Sequence, residues 1–450
     1  MILAEMSPPK GLIIGAPGSG SGKTIITLGL IAALSEKGLV VAGAKTGPDY
    51  IDPSFSSHAS GFKSPNLDPW AMGQDRLRSL AANHAKNADI LLIEGVMGLF
   101  DGALDGTGST GDLAASLGLS VLLVVDAARQ SQSIAALVSG FANWRADVPI
   151  AGIILNNVAS EKHQKILRLA LNQLDIPLVG IIPREAELEV PNRHLGLVLA
   201  DEMGQIDRFT RRAATLISTH CDLDIVQDLA RPLCIARTSF SGSQNQKLPP
   251  LGQHIAIARD GAFAFIYAHW LKDWQDAGAS FSFFSPLANQ APDKNADAVF
   301  LPGGYPELHG AQLAAASHFM AGLRAARDRG ALIYGECGGF MVLGEYLTDK
   351  NGQTHKMAGL LSLSTRIDRP RRILGYRKLS HSAPLPWPAR LLGHEFHYSS
   401  SSEHNLPPLF SARDALGDKL DQELGVSGAV DGRVMGSYAH VIDCVYGDKS

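Results

Sequence analysis

Cys337 sits in Ala331-Leu-Ile-Tyr-Gly-Glu-Cys-Gly-Gly-Phe-Met-Val-Leu343. An apolar, β-prone run enters a glycine-flanked cysteine, and an apolar helix-like run leaves it. A strand–turn–helix of this kind lifts a nucleophile onto a sharp elbow where a substrate carbonyl can reach it. Backbone N–H groups at the helix start favour a thiolate and later an oxyanion. Upstream, Ala298-Val-Phe-Leu-Pro-Gly-Gly-Tyr-Pro-Glu307 is a strand ending in Pro-Gly-Gly. The N–H groups of Gly303 and Gly304, with that of Gly338, are therefore expected to form an oxyanion hole. Downstream, Gly436-Ser-Tyr-Ala-His-Val-Ile442 presents His440. A Cys–His pair is the minimum for a thiolate nucleophile, with the histidine as base and then acid. A lone cysteine is more often a small core residue; here the flanking glycines favour chemistry, with His440 as partner.

Some three hundred residues earlier lies a second kind of chemistry. Gly11-Leu-Ile-Ile-Gly-Ala-Pro-Gly-Ser-Gly-Ser-Gly-Lys-Thr24 reads as strand, glycine-rich loop, then helix. In a phosphate-binding loop, Gly20 and Gly22 let backbone N–H groups face the phosphates of ATP. Lys23 neutralises the β/γ-phosphates and the Thr24 hydroxyl binds Mg²⁺. The usual pattern wants glycine at position 17, where this chain has Pro17; Gly15, Gly18, Gly20 and Gly22 supply the flexibility around it. A plain glycine-rich turn is the bland alternative, and Gly-Lys-Thr opening a helix speaks against it. Glu94 ends the apolar run Asp89–Glu94, where a Mg²⁺-directed carboxylate belongs. Asp101, in the following glycine-rich loop, is either substrate-facing or a turn residue. Asn156 and Asn157 end a later strand and read either as adenine-edge contacts or as strand caps.

Lys45-Thr-Gly-Pro-Asp-Tyr-Ile-Asp-Pro53 follows the second strand at its carboxyl end, where doubly wound sheets bind ligands. Lys45 is placed to stabilise a transferring phosphoryl group, and Asp49 or Asp52 to hold Mg²⁺. The alternative is an ordinary Asp-Pro turn. Gly393-His-Glu-Phe-His-Tyr-Ser399 has H-E-x-H rather than H-E-x-x-H spacing, so its histidines would not share a helix face. It reads as a strand packed near the active site. Cys221 and Cys234 are expected to be inert.

The elements that must position these groups alternate in type. In the first half, candidate strands are 12–16, 39–45, 89–95, 120–127, 151–158 and 178–183. Helix-like segments at 22–37, 132–144 and 162–174 lie between them, and one near 205–220 closes this half. Such alternation implies a doubly wound, mostly parallel α/β sheet. Residues 237–252 are rich in Ser, Pro and Gly and read as a linker. A second α/β unit follows, with strands at 254–258, 280–285, 298–301 and 331–335, and a more irregular β-rich stretch after 353. The expected domains are 1–236 and 253–450.

Composition narrows the class. The chain has 450 residues, 45% apolar and 19% charged, with a formal net charge of -4. That offers no basic field for nucleic acid. Four cysteines without paired spacing point to a reducing compartment. There is no basic, apolar leader at the N-terminus and no run of about 18 apolar residues, so the expectation is a cytoplasmic protein with no membrane partner.

Together these motifs resemble the cobyrinate/hydrogenobyrinate a,c-diamide synthases. The match is carried by Gly-Ser-Gly-Lys-Thr, Lys-Thr-Gly-Pro-Asp-Tyr-Ile-Asp-Pro, Glu-Gly-Val-Met-Gly-Leu-Phe-Asp-Gly, the segment 183–197, Leu-Pro-Gly-Gly-Tyr-Pro-Glu, Gly-Glu-Cys-Gly-Gly and Gly-Ser-Tyr-Ala-His. The resemblance implies a dethiobiotin-synthetase-like N-terminal domain and a C-terminal class I glutamine amidotransferase domain. It implies ATP- and L-glutamine-dependent amidation of the a and c acetates of hydrogenobyrinate or cobyrinate. By it, Cys337 is the glutaminase nucleophile, His440 its base, and Tyr50, Ile51 and Asp52 lie at the corrinoid site. Such glutaminases often carry Glu two residues after the histidine; here that position is Ile442, and Asp443 is the nearest candidate. Cobyric acid synthase and nickel-sirohydrochlorin diamide synthase are related alternatives. A partitioning-type ATPase switch resembles only the first half, and its signature lysine is replaced by Gly18. Self-association is left open.

Overall fold

The computed structural model describes residues 8–184, 192–193, 196–197, 199–234, 247–402, 404–421 and 425–445. The chain divides into two compact units, Met1–Asn245 and Gln246–Ser450. Residues 237–246 of the expected linker and most of the 183–197 segment lie outside the described residues.

In the first unit, β1 (Lys10–Gly15) leads to α1 (Lys23–Glu36), β2 (Val41–Thr46), α2 (Asp52–Ser60), β3 (Asn66–Leu67), α3 (Gln74–Ala85) and β4 (Ile90–Glu94). Then come α4 (Thr110–Leu117), β5 (Val121–Asp126), α5 (Ile134–Trp144), β6 (Ile150–Val158), α6 (Glu161–Leu171), β7 (Leu178–Pro183), α7 (Ile206–His220) and β8 (Arg231–Pro232). The sheet order is β3-β2-β4-β1-β5-β6-β7, all parallel, with β8 antiparallel on β1. Helices cover both faces of such a sheet, so its strands are apolar on both sides; every residue of β2 and β4 is buried. The chain builds outward to one side of β1 through β4 and to the other through β5. The switch point is therefore at β1, and ligands bind beyond the carboxyl ends there.

In the second unit, β9 (His254–Ala258), α8 (Ala268–Asp276), β10 (Ser280–Phe284), β11 (Ala298–Leu301), α9 (Ser317–Asp328), β12 (Leu332–Glu336) and α10 (Gly338–Leu343) form an α/β layer. Then follow β13 (Ile373–Ser380), β14 (Arg390–His397), β15 (Phe410–Arg413), β16 (Val426–Ser427), β17 (Ala429–Asp431), β18 (Val434–Ser437) and β19 (His440–Cys444). The main sheet runs β10-β9-β11-β12-β18-β17, parallel except for β17 on β18. An antiparallel sheet, β16-β15-β13-β14-β19, carries the irregular segment. Phe263, Phe319, Phe340, Val299 and Ile333 fill the core under the main sheet. Among the described residues no helix is long and apolar enough to cross a membrane.

Candidate active sites

Strand register assembles the first site. Lys45 and Glu94 are directly paired at the carboxyl ends of β2 and β4. In parallel strands paired positions project to the same face, so the two side chains meet. Lys45 Nζ lies 2.9 Å from Glu94 Oε1, 2.5 Å from Asp52 Oδ2 and 3.9 Å from Asp49 Oδ2. Asp52 reaches in from the first turn of α2, with Pro53 beside it setting the helix start. Thr24 Oγ1, at the start of α1, donates to Glu94 Oε1 at 2.7 Å. Lys23 Nζ donates to the carbonyls of Met97 (2.6 Å) and Gly18 (3.2 Å), which bridges the phosphate loop to the loop after β4.

The electrostatics follow from burial. Lys23 is pushed down to about 8, first by burial and then by the neighbouring Lys45 charge. Burial opposes the charge on Lys45 as well, yet Asp52, Glu94 and Asp49 raise its pKa above the usual lysine range. Burial and the Asp52 charge push Glu94 and Asp49 upward, whereas Lys45 outweighs burial and holds Asp52 below the usual carboxylate range. The ammonium of Lys45 thus neutralises a carboxylate cluster that would otherwise repel itself.

The remaining expected residues fall around this cluster. Tyr50 and Ile51 lie in the turn before α2, and Ile51 N donates to Asp49 Oδ1 at 2.8 Å. Asp101 accepts from Gly98 N at 2.9 Å, fixing the loop after β4. Asn156 Nδ2 donates to the Ser21 carbonyl at 3.0 Å and packs against Gly22, so in this state it braces the phosphate loop. Asn66 was opaque in the sequence. Its amide donates to the carbonyls of Gly47 (2.8 Å) and Asp49 (2.6 Å) and pins the Lys45–Pro53 loop. Among the described residues no three His, Cys, Asp or Glu side chains are grouped to hold a metal alone. Two carboxylates and a hydroxyl are a partial hard-oxygen set, which suits an ion that keeps phosphate and water ligands.

The second site is built on the β12–α10 turn. Cys337 has φ 47° and ψ -106°, a left-sided conformation that a side chain rarely adopts. Main-chain bonds hold it: Cys337 N donates to Ser437 O at 2.8 Å, and Met341 N to Cys337 O at 3.1 Å. A Cβ placed on Gly303 would stand 2.5 Å from His440 Cε1 and 3.4 Å from Cys337 Cβ, so this glycine packs against both nucleophile and base. A Cβ on Gly338 would stand 3.2 Å from Gly304 N and 2.6 Å from the Pro306 ring, so the Pro-Gly-Gly loop abuts the elbow.

His440 Nδ1 faces Glu336 Oε2 at 3.6 Å. The other Glu336 oxygen accepts from Tyr334 Oη (2.9 Å) and Val441 N (3.1 Å). Burial opposes the charge on His440, but Cys337 and Glu336 raise its pKa to about 10. The acid facing the histidine is therefore the residue before the nucleophile, whereas Asp443 Oδ1 accepts from its neighbour Cys444 N. The signal was present: Tyr334 and Glu336 are two apart on a strand and share a face. Behind His440, the His394 ring is stacked at 5.0 Å between centroids and 14° between planes. His397 stacks on Tyr438 at 4.2 Å. Both histidines belong to β14, as the H-E-x-H spacing predicts for a strand. Cys221 and Cys234 are unpaired, and burial pushes the Cys221 thiol up to about 12.

Comparison with known proteins matches both units. Residues 12–198 fit the CobQ/CobB/MinD/ParA nucleotide binding domain, and residues 254–443 the CobB/CobQ-like glutamine amidotransferase domain. The chain is 51% identical to the hydrogenobyrinate a,c-diamide synthase of Brucella anthropi, covering 96% of this chain and 98% of that protein. It is 49% identical to the enzyme of that name from Rhizobium meliloti and 45% to that from Rhodobacter capsulatus, with 96% of this chain and 99% of each relative covered. At such identity over nearly its whole length, the chain belongs to the hydrogenobyrinate a,c-diamide synthase family.

Proposed function

We propose that this chain is a glutamine-hydrolysing ligase that uses ATP to convert the a and c acetate carboxylates of hydrogenobyrinate to amides. The near full-length identity of 51% to a protein of that name carries this reading. Residues 1–236 form the amidoligase and 253–450 the glutaminase.

A carboxylate is a poor electrophile. Its oxygen attacks the γ-phosphorus of ATP, giving an acyl phosphate and ADP. Ammonia then attacks the acyl carbon and phosphate leaves, taking the C–O bonding pair. Gly20 and Gly22 shape the loop around the phosphates, while Lys23 and Lys45 balance charge on the transferring group. Thr24, Asp52 and Glu94 would hold Mg²⁺, which when bound draws charge from the β- and γ-phosphates. Tyr50, Ile51, Asp52 and Asp101 face the corrinoid, and Asn156 holds the phosphate loop from behind.

In the glutaminase the Cys337 thiolate attacks the carboxamide carbon of glutamine. The N–H groups of Gly303, Gly304 and Gly338 receive the developing oxyanion. His440 gives its proton to the departing ammonia, then takes one from the water that hydrolyses the thioester to glutamate. A cytoplasmic location accords with the four free cysteines.

The test incubates the protein with Mg-ATP, glutamine and either hydrogenobyrinate or cobyrinate and reads product mass. Hydrogenobyrinate should gain two amide groups. A gain of four amide groups, or of none from either substrate, would overturn the assignment.

A further inference from the structure

The Gly393-His-Glu-Phe-His-Tyr-Ser399 segment takes no direct part in the chemistry above, yet it supplies the wall behind the base. β14 and β19 are antiparallel neighbours, and His394 is directly paired with His440. Directly opposed residues in such a pair have side chains about 4.5–5.5 Å apart. Register therefore puts one imidazole against the other. The approach is unusually close: a Cβ on Gly393 would stand 2.5 Å from the His440 carbonyl oxygen, so only glycine before His394 lets the strands meet here. The two rings lie nearly parallel, 14° apart, with centroids at 5.0 Å.

The back of the His394 ring is also fixed. Its Nε2 is 3.0 Å from Tyr267 Oη, and the Tyr267 ring is itself stacked on His269 at 5.1 Å. His269 Nε2 lies 3.0 Å from the Ile442 carbonyl, two residues beyond the base. A chain of contacts thus starts at the base strand, runs through His269, Tyr267 and His394, and returns to the base ring.

We propose that His394 is a positioning residue for the glutaminase: its ring, pinned by the Tyr267 hydroxyl, lies flat on His440 and holds that imidazole in line between Glu336 and Cys337. A histidine with one edge toward Glu336 can otherwise turn about its Cβ–Cγ bond and lose the nucleophile. A flat ring packed on its face removes that freedom. The charged and titratable groups around the pair are Cys337 and Glu336 on the reactive side, Arg377 with its partner Glu395 on the sheet, His397 on the same strand as His394, and Tyr267 and His269 behind. Burial, the His440 charge and Arg377 all press His394 toward the neutral form. A neutral ring can rest on a charged His440 without repelling it.

The proposal rests on the reading of Cys337 and His440 as a glutaminase. The full chain is assayed for glutamate release from glutamine across pH and, separately, for amidation driven by ammonium salts. His394→Ala should lower kcat for glutamine about 10- to 100-fold, with KM for glutamine within about threefold. Its alkaline limb should move to lower pH as His440 loses alignment with Glu336 and Cys337. His394→Phe restores a flat face but not the bond to Tyr267, so it should match Tyr267→Phe in kcat, well above His394→Ala, and return the original limb. Tyr267→Phe, which removes one oxygen, should lower kcat about threefold or more in the same direction. Ammonia-driven amidation should be unchanged in all three.

Equal losses in His394→Phe and His394→Ala would overturn the proposal by giving the function to the ring nitrogens. An unmoved pH limb, or a parallel loss of ammonia-driven amidation, would reduce His394 to a structural residue. Should His394→Ala not fold, the Phe and Tyr267 variants decide alone, by the same outcomes. Cys337→Ala is the control: if it still releases glutamate, the glutaminase reading fails, whatever His394 does.

Discussion

Cys337, and then Glu336, keep His440 charged against burial. Without Glu336 the base would lose the second of these supports in a buried site. Glu336→Gln is therefore expected to lower glutamine-dependent kcat about 10- to 100-fold and to move the alkaline limb of glutamate release down from near pH 10. The sign follows from the raised pKa: the imidazolium is present below it and is lost as pH rises through it. A pH–rate profile of the two proteins checks this. In the other unit, Lys45 has no comparable substitute, because among the described residues it is the cation in direct ion pairs with both Asp52 and Glu94. Lys45→Ala should cut amidation by at least about 100-fold with either glutamine or ammonia as nitrogen source. Glutamate release without ATP should survive in it. Glu307 offers a stability test. It is 7% exposed, its Oε1 has no hydrogen-bond partner among the described residues, and burial pushes its carboxyl up to about 7. A raised carboxylate pKa leaves stability intact below about 4.5 and removes it as pH rises through about 7. Glu307→Gln should thus be more stable than the parent at pH 8, by at most about 3 kcal/mol, and equal to it at pH 4. Thermal unfolding at the two pH values reads the difference.

At the scale of elements, strand ends do the placing. Glu94 ends β4, Lys45 is one residue from the end of β2, and Glu336 ends β12 directly before the nucleophile. Glu94 and Lys45 were legible because apolar runs that stop at a charged residue mark the carboxyl ends of buried parallel strands; Glu336 ends its run in the same way but was passed over for Asp443. The strands at 254–258 and 298–301 match the expected bounds, as do those of the first half to within two residues or so. Among the helices not foreseen are α2, α3 and α4 of the first unit and α8 and α9 of the second. α2 and α3 are short and mostly polar, and the α4 capping box at Ser109 and Asp112 follows a long irregular loop. The stacking of His394 on His440 was out of reach for a different reason. It depends on the pairing of strands forty-odd residues apart, and sequence periodicity gives a strand's faces but not its partner. Gly303 tests the closeness of the loop and the base. Gly303→Ala places a methyl 2.5 Å from His440 Cε1 and must displace it. A shift of about 1 Å in a catalytic group can cost about 100-fold, so glutamine-dependent turnover should fall by that order while ammonia-driven amidation is kept. Steady-state rates with both nitrogen sources would show it.

For the whole molecule, the two units divide one reaction by chemical need. One spends ATP to activate a carboxylate, and the other frees ammonia from a stable amide. The first unit alone leaves the function ambiguous, since its family model also spans MinD- and ParA-type nucleotide binding domains. The glutaminase motifs in the same chain resolve the class, and the Lys45–Pro53 segment points to the substrate family. This division is the central claim, and the Cys337→Ala variant tests it most directly. Hydrogenobyrinate, Mg-ATP and either glutamine or a high concentration of ammonium are supplied, and amide product is measured by mass. The account predicts no product with glutamine and near-parental product with ammonium. Product with glutamine, or loss of product with both nitrogen sources, would contradict it.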